Sequence, residues 1–113
     1  MSISITPNVE FDTIAREWRC KWSADDDKAS LVSVQNALQA HIEAVKAVEG
    51  VVKVQRIVCG GCLDFKVITS LPVDKFKQWE AAGFAPEASF LKDIQAIKGV
   101  SVVETQTYTL MDA

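Results

Sequence analysis

Features that would point to a membrane or to nucleic acid are missing from this sequence. No stretch approaches the roughly 18 consecutive apolar residues that a membrane-spanning helix needs. The N-terminal residues lack a basic region followed by a long apolar region, which argues against a secretory signal. No basic stripe of the kind that neutralises phosphates occurs in this chain, whose net charge is −3. We therefore expect a cytoplasmic protein with no membrane partner and no nucleic-acid partner.

Cysteine and histidine are scarce. The three cysteines are an odd number, which argues against a disulfide framework and suits a reducing compartment. Cys59 and Cys62 are separated by two glycines, a spacing that can bind zinc or cycle as a dithiol. Zinc needs four ligands, and the candidates to complete the set are Cys20, His41 and Asp64. We predict that the pair packs around a tight turn, with no metal and no cofactor; zinc binding and redox cycling are the alternatives.

Motifs of the common enzyme classes are also absent. The chain has no glycine-rich phosphate loop, no nucleophile elbow and no paired-carboxylate motif. The only histidine, His41, lies beside the apolar stripe of a predicted helix. A core-edge position is its simpler interpretation, and an acid–base role is the alternative. Nothing in the sequence positively indicates an enzyme.

The bulk composition is that of a globular domain. A length of 113 residues fits one hydrophobic core, and 49% hydrophobic with 24% charged residues is an ordinary balance. Residues 1–14 are short, polar segments that we predict to form an N-terminal arm. Residues 15–113 are predicted to form one domain.

Along that domain, stretches with the two-residue period of a strand alternate with stretches that have the helical spacing of apolar residues. Aromatic and charged residues alternate from Arg16, which predicts a half-buried strand. Ser23 and the aspartates after it predict the start of a helix, whose apolar positions recur at steps of three and four. A β-branched run over 51–59 and a returning run after Gly61 predict a hairpin with a type I′ turn, in which Gly61 needs a positive φ. A β-carbon at Gly61 is therefore expected to cost about 1 kcal/mol or more.

The remaining elements complete a known arrangement. Two helical pieces, interrupted at 83–86, precede a last strand over 102–110. The order β-α-β-β-α-β predicts an α+β, ferredoxin-like fold with a four-stranded antiparallel sheet and two helices on one face. Apolar residues occur at both parities of the strands, so we expect the second face to be covered by another copy, closing a homodimeric α/β barrel.

The hairpin and the last strand carry a resemblance to a known family. Gly61 is followed three positions later by Asp64, and a Gly99-Val100 pair precedes a strand that contains Thr105. In these features residues 15–111 resemble the ligand-binding domain of AsnC-type (feast/famine) regulators, within the group of dimeric α/β barrels. The resemblance implies a small-molecule cleft between protomers, lined by the hairpin and neighbouring loops.

A second family shares other features. Lys21-Trp22 is followed by acidic residues, and Gly61 opens the third strand of the predicted domain. Here the chain is similar to the nucleotide-exchange domain of the beta-type subunit of translation elongation factor one. That resemblance implies nucleotide exchange on a partner protein.

Aromatic and polar side chains on the predicted strands and helices could line a small-molecule cleft. The alternative for the aromatic rings is that they fill the core and the dimer interface. The candidate ligand-binding residues are Trp18, Trp22, Arg56, Gly61, Asp64, Phe65, Trp79 and Tyr108. We predict a small homodimeric domain that binds a small molecule or serves as a regulatory module. The alternatives are a nucleotide-exchange domain and a cofactor-free oxygenase or isomerase.

Overall fold

The computed structural model describes residues 2–113, and its helices and strands follow the predicted order. The elements are β1 (Ile3–Thr6), β2 (Val9–Phe11), β3 (Thr13–Lys21), α1 (Asp25–Lys46), β4 (Lys53–Val58), β5 (Asp64–Pro72), α2 (Val73–Ala81), α3 (Glu87–Gln95) and β6 (Ser101–Leu110). From β3 onward the order is β-α-β-β-α-β, with α2 and α3 as the two pieces of the second helical region. None of the helices within residues 2–113 combines the length and apolar character needed to cross a bilayer.

The sheet has the topology that the sequence predicts. Its strands lie in the order β4-β5-β3-β6, and every neighbouring pair is antiparallel. The chain therefore has a ferredoxin-like α+β fold, and this prediction is confirmed. N-terminal to the four-stranded sheet, β1 and β2 pair with each other as a separate two-stranded hairpin. Strand β3 begins at Thr13, two residues inside the stretch predicted as the arm.

One face of the sheet carries the core. Trp18, which is 1% exposed, packs against the rings of Phe90 at 5.2 Å and Trp79 at 6.3 Å between centroids. Helix α1 contributes its predicted stripe, in which Val34 and Val45 are fully buried. Aromatic and branched side chains bury the most apolar area per residue, so this layer supplies most of the hydrophobic stabilisation.

The start of α1 differs from the predicted helix cap. Residues Asp26, Asp27 and Lys28 have φ angles between 53° and 63°, so right-handed helical backbone begins only after them. The Ser23 hydroxyl accepts a hydrogen bond from the backbone N–H of Asp25 at 3.1 Å, and the Ser30 hydroxyl accepts one from the Ser23 N–H at 2.8 Å. These bonds hold a turn in place of the first helical turn.

The hairpin between β4 and β5 corrects two predictions. Gly60 and Gly61 do not have positive φ angles, whereas Leu63 has a φ of 62°. The connection spans residues 59–63 and is closed by the backbone N–H of Cys59, which donates to the Asp64 carbonyl at 3.0 Å. A two-residue type I′ turn is therefore wrong, because the ladder stops before the glycines. Cys59 and Cys62 are joined by a disulfide, which the odd cysteine count did not suggest.

The second face of the sheet is polar, which corrects the argument for an apolar face. The side chains of Trp18 and Cys20 lie on the helix side, together with Val54 and Val58 of β4. The opposite face, which we call the open face, carries mainly charged and amide side chains. Apolar residues at both parities arise because this face also carries single apolar side chains among the polar ones, such as Ile57 near the end of β4 and Ile68 in the middle of β5.

Candidate functional site

The strand register arranges the open face in rows. Cross-strand partners in an antiparallel sheet point to the same face, so each row can be read from the pairing of β4, β5, β3 and β6. The three central rows are Lys53–Ser70–Ala15–Tyr108, Gln55–Ile68–Glu17–Gln106 and Ile57–Lys66–Arg19–Glu104. Opposite charges therefore lie in adjacent rows of one surface.

A buried carboxylate lies at the centre of the open face. Glu17 is 4% exposed, although the three helices within residues 2–113 lie on the other side of the sheet. The Tyr108 hydroxyl donates to its Oε1 at 3.3 Å, and Lys66 Nζ lies 3.9 Å from the same oxygen. Burial, followed by the charge of Glu17, raises the pKa of Tyr108 to about 12. The phenol therefore stays protonated and serves as a hydrogen-bond donor.

The ionisation of Tyr108 gives a direct test, because it is the only tyrosine in the chain. Tyrosinate absorbance should show half-titration near pH 12 in the folded protein, against about 10 in denaturant. Glu17→Gln should lower this pKa while leaving it above 10, because burial is the larger cause. The pKa of Tyr108 is higher in the folded state than in the unfolded state. The contribution of its protonated phenol to the free energy of unfolding is therefore complete below about pH 10 and is lost as the pH rises through 12. Half-titration at the same pH in the folded and denatured protein would contradict the Glu17–Tyr108 contact.

A second group of charged side chains lies at the end of the open face that is next to the hairpin. Asp64 Oδ1 lies 2.6 Å from Lys21 Nζ and 3.5 Å from the guanidinium of Arg19. The hydrogen bond from Lys21 and the nearby positive charges hold the pKa of Asp64 below its usual value, despite partial desolvation. Lys21 also donates to the Cys62 carbonyl at 2.8 Å, so the same ammonium group ties the hairpin to β3.

A pocket opens at the other end of the open face. Its volume is about 370 Å³, within the range of small-molecule sites. The lining combines strand residues with the two ends of the domain: Asp12, Thr13, Val52, Lys53, Ser70, Leu110, Met111 and Asp112. Ser70 is 1% exposed, and its hydroxyl has no hydrogen-bond partner within residues 2–113. A buried hydroxyl without a partner is unfavourable, so a ligand in the pocket that supplied a hydrogen bond to it would remove that cost.

The predicted ligand-binding residues do not form one cluster. Four of them are buried on the helix side, each 4% exposed or less, where they fill the core: Trp18, Trp22, Phe65 and Trp79. Arg56 also lies on that side and donates to Gln35 of α1 at 2.9 Å. Gly61 lies in the hairpin. Asp64 and Tyr108 are both on the open face, but the row that contains Glu17 lies between them.

An ion pair on the helix side was not predicted. Glu87, at the start of α3, accepts hydrogen bonds from Arg16 Nε and from the Trp18 indole N–H, both at 2.8 Å. The Arg16 guanidinium also lies 4.2 Å from the centroid of the Phe84 ring. These contacts join the α2–α3 connection to β3.

The histidine and the remaining cysteine have packing positions. His41 Nε2 lies 2.7 Å from Asp93 Oδ2, and the His41 ring meets the edge of Phe90 at 6.0 Å, as a core-edge position predicts. Cys20 is 1% exposed; burial, and then the charge of Asp64, raises the pKa of its thiol to about 11. Of the groups named as completions of a zinc site, His41 and Cys20 thus lie away from the cysteine pair, whereas Asp64 Oδ2 lies 3.4 Å from Cys62 Sγ. Within residues 2–113 no cluster of three or more ligand side chains is placed for a metal.

The groups that sequence reasoning missed are Glu17, Ser70 and Glu87. The alternation in β3 places Glu17 opposite the tryptophans, and this is the one signal that could have found it. Ser70 becomes notable only through burial without a partner, and Glu87 only through the meeting of β3 with α3. Both depend on long-range contacts.

Comparison with known proteins shows the fold. No protein-family model matches the chain, and no curated protein matches it. Rv0793 from Mycobacterium tuberculosis is similar in structure, with a TM-score of 0.60 and 14% identity over 89% of this chain and 97% of that one. A mutant of SnoaB, a cofactor-independent oxygenase from Streptomyces nogalater, also has a TM-score of 0.60 and 14% identity, over 90% and 96%. SO0527 from Shewanella oneidensis has a TM-score of 0.55 and 12% identity, over 88% and 91%. None of the three is described as a feast/famine regulator or an exchange factor, so both resemblances stay predictions, and what the likeness shows is the ferredoxin-like fold.

Proposed function

We propose that this chain forms a homodimer through its open sheet face and binds a small polar molecule there. The observation that carries the proposal is the unpartnered hydroxyl of Ser70, buried in a pocket of about 370 Å³. Charged side chains of both signs, Lys53, Asp12 and Asp112, surround it. A ligand with hydrogen-bonding groups, such as an amino acid or a hydroxy acid, fits this lining better than an apolar one.

The homodimer is supported by the chemistry of the open face. In a two-fold dimer the same surface meets itself, so it must be self-complementary. One row carries both signs of charge, with Lys66 and Arg19 in its middle and the exposed Glu104 at its end. In a two-fold dimer, Glu104 of one copy can face Lys66 or Arg19 of the other. The pocket at the end of the face would then be closed by the partner.

The dimer has a direct test. Light scattering at micromolar concentration should give twice the chain mass of 12.4 kDa. Ile57, 44% exposed on the open face, is replaced by lysine; the matched control is Val32→Lys on α1, where Val32 is 58% exposed. Ile57→Lys should weaken the dimer about tenfold or more, because it removes an apolar contact and buries a charge. Val32→Lys should leave it unchanged. A monomer at all concentrations, or equal effects of the two variants, would contradict the open-face dimer.

Ligand binding is tested through Ser70, whose replacement should have opposite effects on two quantities. Ser70→Ala should raise the free energy of unfolding of the ligand-free protein by about 1 kcal/mol, because an unsatisfied buried hydroxyl is removed. The same change should reduce the rise in melting temperature that amino acids and hydroxy acids produce by mass action. The measurement is thermal unfolding with a panel of these compounds.

Thr69 supplies the matched control. Its hydroxyl is also buried with no hydrogen-bond partner among the described residues, but it lies on the helix side, in register with Arg16. Thr69→Val should therefore stabilise the protein in the same way and leave the effect of ligands unchanged. Compounds that shift all three proteins equally, or that shift none, would refute a site at Ser70.

A cofactor-free enzyme is the second candidate. It is favoured by the neutral phenol of Tyr108 beside the buried carboxylate of Glu17, a donor and an acceptor that could move a proton to or from a bound molecule. The structural likeness to a cofactor-independent oxygenase is consistent with it. Turnover or oxygen uptake with a bound compound, lost in Tyr108→Phe, would support this candidate; binding without turnover supports the first.

A further inference from the structure

We propose that Cys59 and Cys62 form a reversible dithiol–disulfide couple that exchanges with small monothiols of the glutathione type. Cys62 is exposed at the tip of the hairpin, and Cys59 is half-buried. A β-carbon added at Gly60 or Gly61 would meet no atom within 4 Å, so no other part of the described chain packs against the backbone between the two cysteines. Exposure and access are what distinguish exchanging cysteines from structural ones.

The hairpin does not depend on the disulfide for its shape. The Cys59 N–H donates to the Asp64 carbonyl at 3.0 Å, and the Trp22 N–H donates to the Leu63 carbonyl at 3.0 Å. Lys21 adds a third bond, to the Cys62 carbonyl at 2.8 Å. Because these bonds involve backbone groups, they persist when the sulfur–sulfur bond is broken. The two thiols are thus held near each other in the reduced state, which favours re-oxidation.

The surroundings of the two sulfur atoms differ. The backbone N–H of Cys62 points to Cys59 Sγ at 3.1 Å, an interaction that stabilises a thiolate on Cys59. Cys62 Sγ lies 3.4 Å from Asp64 Oδ2, whose charge disfavours a thiolate on Cys62. Cys59 is therefore the better leaving group, and Cys62 is the sulfur that is attacked.

The exchange balances in two steps. A monothiolate attacks Cys62 Sγ, the Cys59–Cys62 bond breaks, and Cys59 leaves as a thiolate. A second monothiolate attacks the monothiol sulfur of the mixed disulfide, releasing the small disulfide and the Cys62 thiolate, which takes up a proton. Two electrons pass from two monothiols to the protein, and the small disulfide drives the reverse reaction. A cytoplasmic location would place the pair among such thiols.

Single-cysteine variants test the proposal. Cys59→Ser, incubated with glutathione disulfide, should form a stable mixed disulfide on Cys62, seen as one added glutathione by mass spectrometry. Cys62→Ser keeps the backbone N–H that faces Cys59. Cys59 in that variant should be alkylated faster near neutral pH than Cys62 in Cys59→Ser, because the Cys62 N–H favours a thiolate on Cys59 and Asp64 disfavours one on Cys62. The buried Cys20 is an internal control that should react only in denaturant.

The wild-type protein supplies the second measurement. In mixtures of glutathione and its disulfide, two thiols per chain should appear and disappear reversibly, with the circular dichroism spectrum unchanged. Three outcomes would each overturn the proposal: no reduction of the folded protein, unfolding on reduction, or equal alkylation rates in the two variants. Stoichiometric zinc on the reduced pair, found by elemental analysis after dialysis, would also overturn it in favour of a metal site.

Discussion

Replacing Trp18 by alanine is expected to lower the free energy of unfolding by about 3 to 5 kcal/mol, the range for truncating a large buried aromatic residue. Trp18 is 1% exposed and lies between the rings of Phe90 and Trp79. Its removal leaves a cavity at the centre of the helix-side core and takes a donor from Glu87. Small domains have stabilities of about 5 to 15 kcal/mol, so this variant should be close to unfolding at room temperature. Urea unfolding followed by circular dichroism measures the change.

Trp18→Phe is the control that separates the ring from the indole N–H. The phenylalanine ring fills part of the space, and the loss of the hydrogen bond to Glu87 should cost about 1 to 2 kcal/mol. Glu87→Gln retains an acceptor for Trp18 and Arg16 and should cost less than Trp18→Ala. If Trp18→Ala were no worse than Trp18→Phe, the aromatic layer would not be the main stabilising element of the domain.

The fold could be predicted because its signals are local. Alternation around Trp18, the stripe from Val34 to Val45 and the break at Pro86 each need only a short window of sequence. With helices and strands in this order, few topologies are possible, and the ferredoxin-like one is confirmed.

The candidate site could not be predicted in the same way. Glu17 acquires its role from Tyr108 and Lys66, which lie on the neighbouring strands β6 and β5. A shift of the register by one residue would move each of these side chains to the other face. Since the register is set by packing over the whole sheet, residues far apart in sequence decide what meets at the site. For this reason the sequence could not show that Trp18 and Tyr108, both predicted to bind a ligand, lie on opposite faces of the sheet.

Gly50→Ala is the second change for which we expect a large effect, about 2 to 4 kcal/mol of lost stability. Gly50 has a φ of 90°, and a left-handed backbone costs a residue with a β-carbon about 1 kcal/mol or more. The added β-carbon would also overlap Cβ and Cγ of Lys75, atoms too close to the backbone of α2 to rotate away. Relieving the overlap requires a shift of α2, and overpacking of this kind costs about 1 to 3 kcal/mol. The urea midpoint of the variant measures the sum.

Alanine substitutions at two other glycines separate the backbone cost of Gly50→Ala from its steric cost. Gly83 has a φ of 73°, but an added β-carbon meets no atom within 4 Å, so Gly83→Ala should show the backbone cost alone, about 1 kcal/mol. Gly61 has neither a positive φ nor a close neighbour, so Gly61→Ala should change the stability by no more than about 0.5 kcal/mol. The expected order of destabilisation is therefore Gly50, Gly83, Gly61, which reverses the importance that a type I′ turn would give to Gly61. If Gly61→Ala were the most destabilising of the three, the hairpin would have the tight turn after all, and the five-residue connection at 59–63 would be wrong.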